Sequence, residues 1–199
     1  MDVLKYILII VGGYLLGSVS VSIILSRMLG VDVRKKGSGN AGATNMARSY
    51  GLLAGFATLA GDFLKAVIVM WAGYRLCGDW GLMAGGIACT TGHCFPVFYG
   101  FRGGKGISVG AAIGLAIDWR VFVGIVIVFL IAAFLSKKAS LGSVCAAVAV
   151  VILSLVFAVP LPRLLLAIYA SALAVFQHRS NIRRLSEGTE PDFKAADGK

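Results

Sequence analysis

Polar and charged residues gather in a few short clusters along this chain, and long apolar runs fill the intervals between them. A helix that crosses the hydrocarbon core of a bilayer needs about 20 mostly apolar residues. Val3 to Leu25 meets that requirement, and Leu52 to Tyr74 meets it despite Asp62 and Lys65. A short, glycine-rich run from Gly81 to Val97 follows, then Ile107–Ile117, Val121–Leu135, Leu141–Val159 and Leu164–Phe176. The pattern predicts one polytopic membrane domain over residues 1–199. Its spans fall at about 3–25, 52–74, 81–97, 107–117, 121–135, 141–159 and 164–176, with a polar tail over 177–199. Segment 107–117 is short enough to be either a supported span or a re-entrant element. Gly17-Ser18-Val19-Ser20 faintly resembles a signal-peptidase site, but the apolar run continues past it, so an uncleaved first helix is expected.

Composition excludes the alternatives to a membrane protein. Hydrophobic residues make up 58% of the 199, charged residues 14%, and the mean hydropathy is +0.88. A soluble domain carries roughly 45–50% apolar and 25% charged residues, and disorder requires low hydrophobicity. The net charge of +10 would suggest nucleic acid in a soluble protein; here the positive-inside rule explains it better. With the N-terminus outside, 14 basic residues fall on the inner side and 4 on the outer side, while Lys65 lies within a span. The expected fold is therefore an all-α integral membrane protein of about seven transmembrane helices, N-terminus outside and C-terminus cytoplasmic, with one or two short or re-entrant helices. The outer loops, Gly78-Asp79-Trp80, Asp118-Trp119-Arg120 and Pro160-Leu161-Pro162, are tiny. Chemistry belongs on the cytoplasmic face.

Three polar clusters lie on that face. The first, Arg34 to Asn45 with Arg48 beyond, contains Gly37-Ser38-Gly39-Asn40-Ala41-Gly42. It matches the letters of a dinucleotide fingerprint but follows a membrane helix rather than a strand, which excludes that reading. Turned amides and small hydroxyls there can wrap a phosphate. The second runs from Gly92 to Gly106 and carries Arg102, Gly103, Gly104 and Lys105. It fails the Walker pattern at Tyr99 and Gly106. The third, Gln177 to Leu185, puts His178, Asn181 and Arg184 at i, i+3 and i+6 on one helix face. Each cluster also has a plainer reading as a positively charged inner loop.

Asp62 and Lys65 stand at i, i+3 within a span, where ionisable groups are costly, and read as a mutually neutralising pair or as part of the site. Ser140 is expected to cap the sixth span and Ser143, one turn in, to face the site. His93, before Phe95-Pro96, carries either a catalytic role or a structural one, bonding a carbonyl that the proline leaves free. Cys77, Cys89, Cys94 and Cys145 form no zinc-like spacing, so no metal is expected. There is no GxSxG elbow, and neither histidine begins an H-x-x-x-x-D pattern. Phosphate binders at a lipid interface suit an enzyme that joins a soluble phosphate compound to an acyl chain.

Gly37-Ser-Gly-Asn-Ala-Gly-Ala-Thr-Asn45, Gly92-His-Cys-Phe-Pro-Val-Phe98 with Gly103-Gly-Lys-Gly106, and His178-Arg-Ser-Asn-Ile-Arg-Arg-Leu185 with Gly188 and Glu190 resemble the three motifs of the bacterial acyl-phosphate:glycerol-3-phosphate acyltransferases. The resemblance covers nearly the whole chain, including Asp62-Phe-Leu-Lys65 and Ser140-Leu-Gly-Ser143. It implies a seven-helix inner-membrane enzyme, without cofactor. That enzyme passes a fatty acyl group from acyl phosphate to the 1-hydroxyl of glycerol 3-phosphate, the first acylation of phospholipid synthesis. It implies as partners those two substrates, the lipid bilayer and a soluble enzyme supplying acyl phosphate, and no nucleic acid.

On that resemblance the catalytic set is Lys105, His178 and Ser38. The phosphate-binding set is Gly39, Asn40, Arg48, Gly103, Gly104, Ser143 and Asn181. Lys105 serves a phosphate or the oxyanion of the tetrahedral intermediate. The base is either His178 or a substrate phosphate, whose second pKa lies near 6. The competing class is a small transporter for an anionic or phosphorylated solute, which would need access from both faces and commonly shows internal repeats; the chain shows none.

Overall fold

The computed structural model describes residues 2–194; Met1 and residues 195–199, including Asp197 and Lys199 of the expected tail, lie outside the described residues. The described residues are helical, without strands. α1 (Asp2–Ser18) and α2 (Val21–Met28) are followed by α3 (Ala43–Tyr50) and α4 (Leu52–Cys94). α5 (Ile107–Ile117), α6 (Trp119–Ser136), α7 (Ala139–Val156), α8 (Leu161–Gln177) and α9 (Arg179–Ser186) complete the chain. Among the described residues, four stretches are long and apolar enough to cross a membrane: Val3–Met28, Leu52–Tyr99, Trp119–Ser136 and Ala139–Val156. α8 and α9 form a further pair bent by 59°, and α5 is shorter than a full span. Large apolar side chains such as Leu53, Phe56, Phe134 and Leu135 face outward. That arrangement is stable only in lipid, where apolar surface has no reason to hide.

The expected unbroken helix over 3–25 is instead interrupted at Val19–Ser20, where the Ser20 hydroxyl caps α2 by accepting from the Ile23 amide at 3.4 Å. The break frees backbone groups that lipid cannot satisfy. Lys65 supplies the missing donor, its Nζ lying 2.6 Å from the Val19 carbonyl oxygen. α4 is a helical hairpin. Its two arms, 52–76 and 79–94, reverse at Cys77 and Gly78, and Gly78 has φ 59° and ψ −149°, a conformation that only glycine adopts readily. Asp79 and Trp80, expected in the loop, already belong to the second arm, and that arm ends at Cys94 rather than Val97.

The legs run alternately between two ends. At one end Arg163 ties the turns together, its Nε 2.8 Å from Asp79 Oδ1 and its Nη1 2.8 Å from the Ile117 carbonyl. At the other end lie α3, α9 and all three polar clusters. There Arg34 bridges the first two clusters, donating to the Tyr99 carbonyl at 2.8 Å while its other nitrogens hold Asp32. The core between the ends is built from the α4 hairpin, α5, α6, α7 and α8 around Met70, Ile113, Ile117, Val121, Val150 and Leu166.

Candidate active site

A single buried amide shapes the first cluster. Asn45, on the first turn of α3, donates through Nδ2 towards the carbonyls of Val33, Lys36 and Asn40 at 3.0–3.1 Å and accepts the Ser38 amide at 2.9 Å. A loop held by side-chain amide bonds has its shape before any ligand arrives. The Ser38 side chain thereby stands at the edge of a cavity, with Arg48 rising from α3 into the same space.

The second cluster is anchored through its glycines. The helix end at Cys94 leaves carbonyls without amide partners. The Gly104 amide takes that of His93 at 3.1 Å and the Gly103 amide that of Cys94 at 3.2 Å. A Cβ on Gly104 would collide with the His93 imidazole, so the close approach requires glycine there. The result delivers Lys105 to the cavity, where its ammonium bonds Asn181 Oδ1. Burial, foremost, pushes the Lys105 pKa down to about 8; Glu190 opposes that shift, and Arg184, Arg48 and Arg179 add to it.

The third cluster closes the cavity. His178 terminates α8 and begins α9 at the 59° bend. Its Nδ1 lies 2.8 Å from the Ala174 carbonyl, which marks that nitrogen as the protonated one and leaves Nε2 as the acceptor. Burial, aided by the Lys105 charge, pushes its pKa down to about 4 against the effect of the Ala174 bond and Glu190. The ring is therefore neutral at pH 7. Asn181, one turn along α9, is gripped from both sides: it accepts from Lys105 and donates through Nδ2 to Glu190 Oε1 at 2.7 Å.

Glu190 organises this wall. Ser140 Oγ and Arg184 Nε each donate to it at 2.7 Å, and these bonds with that of Asn181 hold its carboxyl below the usual range despite burial. Ser140 is thus no cap. It sits inside α7, the cap position belongs to Lys138, and its hydroxyl reaches the tail. Lys138 fastens the same segment, donating to the Glu190 carbonyl at 2.6 Å. Ser143 lines the cavity one turn deeper and donates to the Ala139 carbonyl at 2.8 Å, which leaves its oxygen lone pairs towards the space.

Of the residues expected from the sequence, Ser38, Asn40, Arg48, His93, Lys105, Ser143, His178 and Asn181 surround one cavity. Gly39 does not line it, and its amide is committed to the Lys36 carbonyl at 3.0 Å. Gly103 and Gly104 line an adjoining space, with their amides committed as above. Asp62 and Lys65 form a 2.7 Å ion pair behind the wall. His93 does not bond a freed carbonyl through its ring: Nδ1 faces Lys65 Nζ at 3.3 Å and Asp62 Oδ1 at 3.7 Å. The sequence reading assigned no site role to Asn45, Ser140 or Glu190. Asn45 and Glu190 are marked only by their place in the motif segments, and Ser140 only by the Ser140–Ser143 stretch.

Below this polar chamber a second cavity of about 340 Å³ extends between α4, α5, α6, α7 and α8. Leu59, Ile107, Ser108 and Phe129 line both spaces, so the two adjoin. The lower one is walled almost entirely by aliphatic and aromatic groups, down to Phe63 and Phe122, whose rings meet edge-to-face at 6.1 Å. A phosphate-sized polar head thus joins an apolar slot that reaches into the bundle.

The profile of the glycerol-3-phosphate acyltransferases matches residues 7–188. The chain belongs to the glycerol-3-phosphate acyltransferase family. Among its relatives, the glycerol-3-phosphate acyltransferase of Rubrobacter xylanophilus is 39% identical over 193 residues, covering 96% of this chain and 97% of that one. That of Trichlorobacter lovleyi is 40% identical over 188 residues, covering 94% and 96%. The crystal structure of PlsY (YgiH), an integral membrane glycerol 3-phosphate acyltransferase, in its glycerol 3-phosphate form, superposes with a TM-score of 0.91 at 34% identity, covering 95% of this chain and 96% of that one. Its lysophosphatidic acid form gives 0.89. The chain is thus similar to these acyltransferases in fold as well as in sequence, over nearly its whole length.

Proposed function

We propose that this acyltransferase takes its acyl group from acyl phosphate and passes it to the 1-hydroxyl of glycerol 3-phosphate, at the cytoplasmic face of a bacterial inner membrane. Family membership gives the acyltransferase activity and its acceptor. One observation carries the rest. Arg48 and Lys105 line the same chamber and, among the described residues, neither forms an ion pair with a carboxylate. Two buried-site cations without carboxylate partners fit a site that receives phosphate groups. Glu190, the acid at the wall, is neutralised by Arg184 at 2.7 Å.

The reaction breaks the bond between the acyl carbon and the phosphate oxygen and forms one to the glycerol oxygen. Lysophosphatidic acid and inorganic phosphate leave, and the hydroxyl proton ends on a phosphate. His178 orients glycerol 3-phosphate by accepting at Nε2 a hydrogen bond from the hydroxyl that does not attack. With a pKa near 4 it is a weaker base than a phosphate dianion, whose pKa is about 6, so the proton passes to a substrate phosphate. Lys105 and Arg48 hold the two phosphates, and Lys105 is placed to follow the charge that develops on the tetrahedral intermediate. Ser38 contributes a hydroxyl to the donor phosphate. The apolar slot receives the acyl chain.

The basic clusters support the cytoplasmic placement, since inner loops carry excess Lys and Arg. A soluble enzyme supplying acyl phosphate would deliver it to the chamber from that side. The transporter reading is disfavoured by the polar chamber lying at one end while Arg163, Asp79 and the Ile117 carbonyl knit the other. The test is release of inorganic phosphate by purified protein given palmitoyl phosphate and glycerol 3-phosphate, with lysophosphatidic acid formed in equal amount. Solute flux in liposomes without phosphate release would overturn the proposal.

A further inference from the structure

Gly110 stands on the second turn of α5 and lines the apolar slot. A Cβ built there meets no atom within 4 Å, whereas one on Gly114, a turn further along the same helix, would run into Ile125. Gly114 is small because a neighbour packs on it. Gly110 has no such neighbour, and a glycine inside a helix costs stability relative to alanine. The space above it continues past Ala111 to Ile113, Phe122 and Ile125 at the far end. From Ile107, at the junction with the polar chamber, to Ile113 at that end is about 9 Å of helix rise, and Gly110 lies midway.

We propose that the missing side chain at Gly110 sets the length of acyl chain the enzyme accepts. A short chain stops before this position. A long one must pass over the bare backbone of Gly110 to reach the Phe63–Phe122 floor. This inference rests on the reading of the slot as the acyl site. A side chain at 110 begins with a Cβ that meets no atom within 4 Å, on a residue that lines the slot.

The test compares wild type, Gly110→Leu and Gly110→Ala, each with octanoyl phosphate and palmitoyl phosphate and saturating glycerol 3-phosphate, reading kcat/KM from phosphate release. Gly110→Leu is expected to lower the palmitoyl-to-octanoyl ratio by roughly tenfold or more, the scale on which hydrophobic pockets discriminate by size. Gly110→Ala should lower it in the same direction by more than twofold. Gly12→Leu is the control: a Cβ on Gly12 would also meet no atom within 4 Å, but Gly12 lies on the exposed face of α1, and its ratio should stay at the wild-type value. A ratio within twofold of wild type in Gly110→Leu overturns the inference, as does an equal fall in the Gly12 control. Should Gly110→Leu not accumulate, an unchanged ratio in Gly110→Ala overturns it alone. Failure of wild type with both donors would instead overturn the choice of acyl phosphate as donor.

Discussion

Lys65 Nζ lies 2.7 Å from Asp62 Oδ1, in a pair that is almost wholly buried among the helices. The same ammonium reaches the Val19 carbonyl at the break between α1 and α2 and the His93 ring behind the glycine turn of Lys105. One cation thus joins the first membrane helix, the α4 hairpin and the wall of the active site. Breaking a buried ion pair leaves an uncompensated charge and costs about 3–5 kcal/mol. Asp62→Asn is therefore expected to destabilise the protein in detergent by that order, while Asp62→Leu with Lys65→Met, which removes both charges but also the donor to the Val19 carbonyl, should lose less than the sum of its two single variants. A double variant that loses the sum of its single variants would contradict the coupling.

Lys105 should be visible in the pH profile. Its pKa is pushed down to about 8, so the ammonium is present below that pH and lost as pH rises through it. The value of kcat/KM for glycerol 3-phosphate, which reports the free enzyme, is expected to fall about tenfold per unit above pH 8. The limb in kcat should sit higher, because bound phosphate favours the charged form. Lys105→Ala is expected to lose at least about a hundredfold in kcat/KM, the scale for one group that stabilises transition-state charge. Lys105→Arg stays charged at every accessible pH. Its residual activity should show no fall near pH 8, and a fall that persists would assign that limb elsewhere.

Much of this was legible in the sequence because lipid makes the code simple. Apolar run length puts helices at 121–135 and 141–159, within three residues of the bounds of α6 and α7, and cations in or just beyond glycine-rich clusters mark Arg48 and Lys105. The break at Val19–Ser20 was not legible, since its compensation comes from Lys65, 46 positions away in sequence. Ser140 was misread for a similar reason. Its position near a helix start suggests a cap, but its partner Glu190 lies beyond α9, and only folding brings the tail across α7. Asn45 carries no charge and lies in a motif whose glycines attract the eye, so its role as the organiser of the loop emerges only from its four bonds.

That role gives a prediction. Asn45→Ala removes the partner of the Ser38 amide and of the Asn40 carbonyl, while the Val33 and Lys36 carbonyls keep the amides of Lys36 and Gly39. Each buried group left unpaired costs about 1–3 kcal/mol. The loop is expected to become more mobile, with faster amide hydrogen exchange over residues 36–40 and a raised KM for acyl phosphate. Glycerol 3-phosphate affinity should change less, because Ser143, His178 and Asn181 are held by α7 and α9 rather than by this loop. Equal losses for both substrates would show that the loop serves both.

His178 separates two mechanisms. Its Nδ1–H is spent on the Ala174 carbonyl, and its pKa near 4 leaves Nε2 an acceptor of little basicity. If its work is to orient glycerol 3-phosphate, His178→Ala should raise KM for that substrate by about tenfold while kcat at saturating acyl phosphate falls much less. The acid limb of kcat, set by a substrate phosphate ionising near 6, should then keep its position in the variant. If instead the imidazole takes the proton, kcat itself falls by a hundredfold or more and the limb moves. Measuring both constants from pH 5 to pH 8 in wild type and variant decides between a histidine that positions and one that removes the proton.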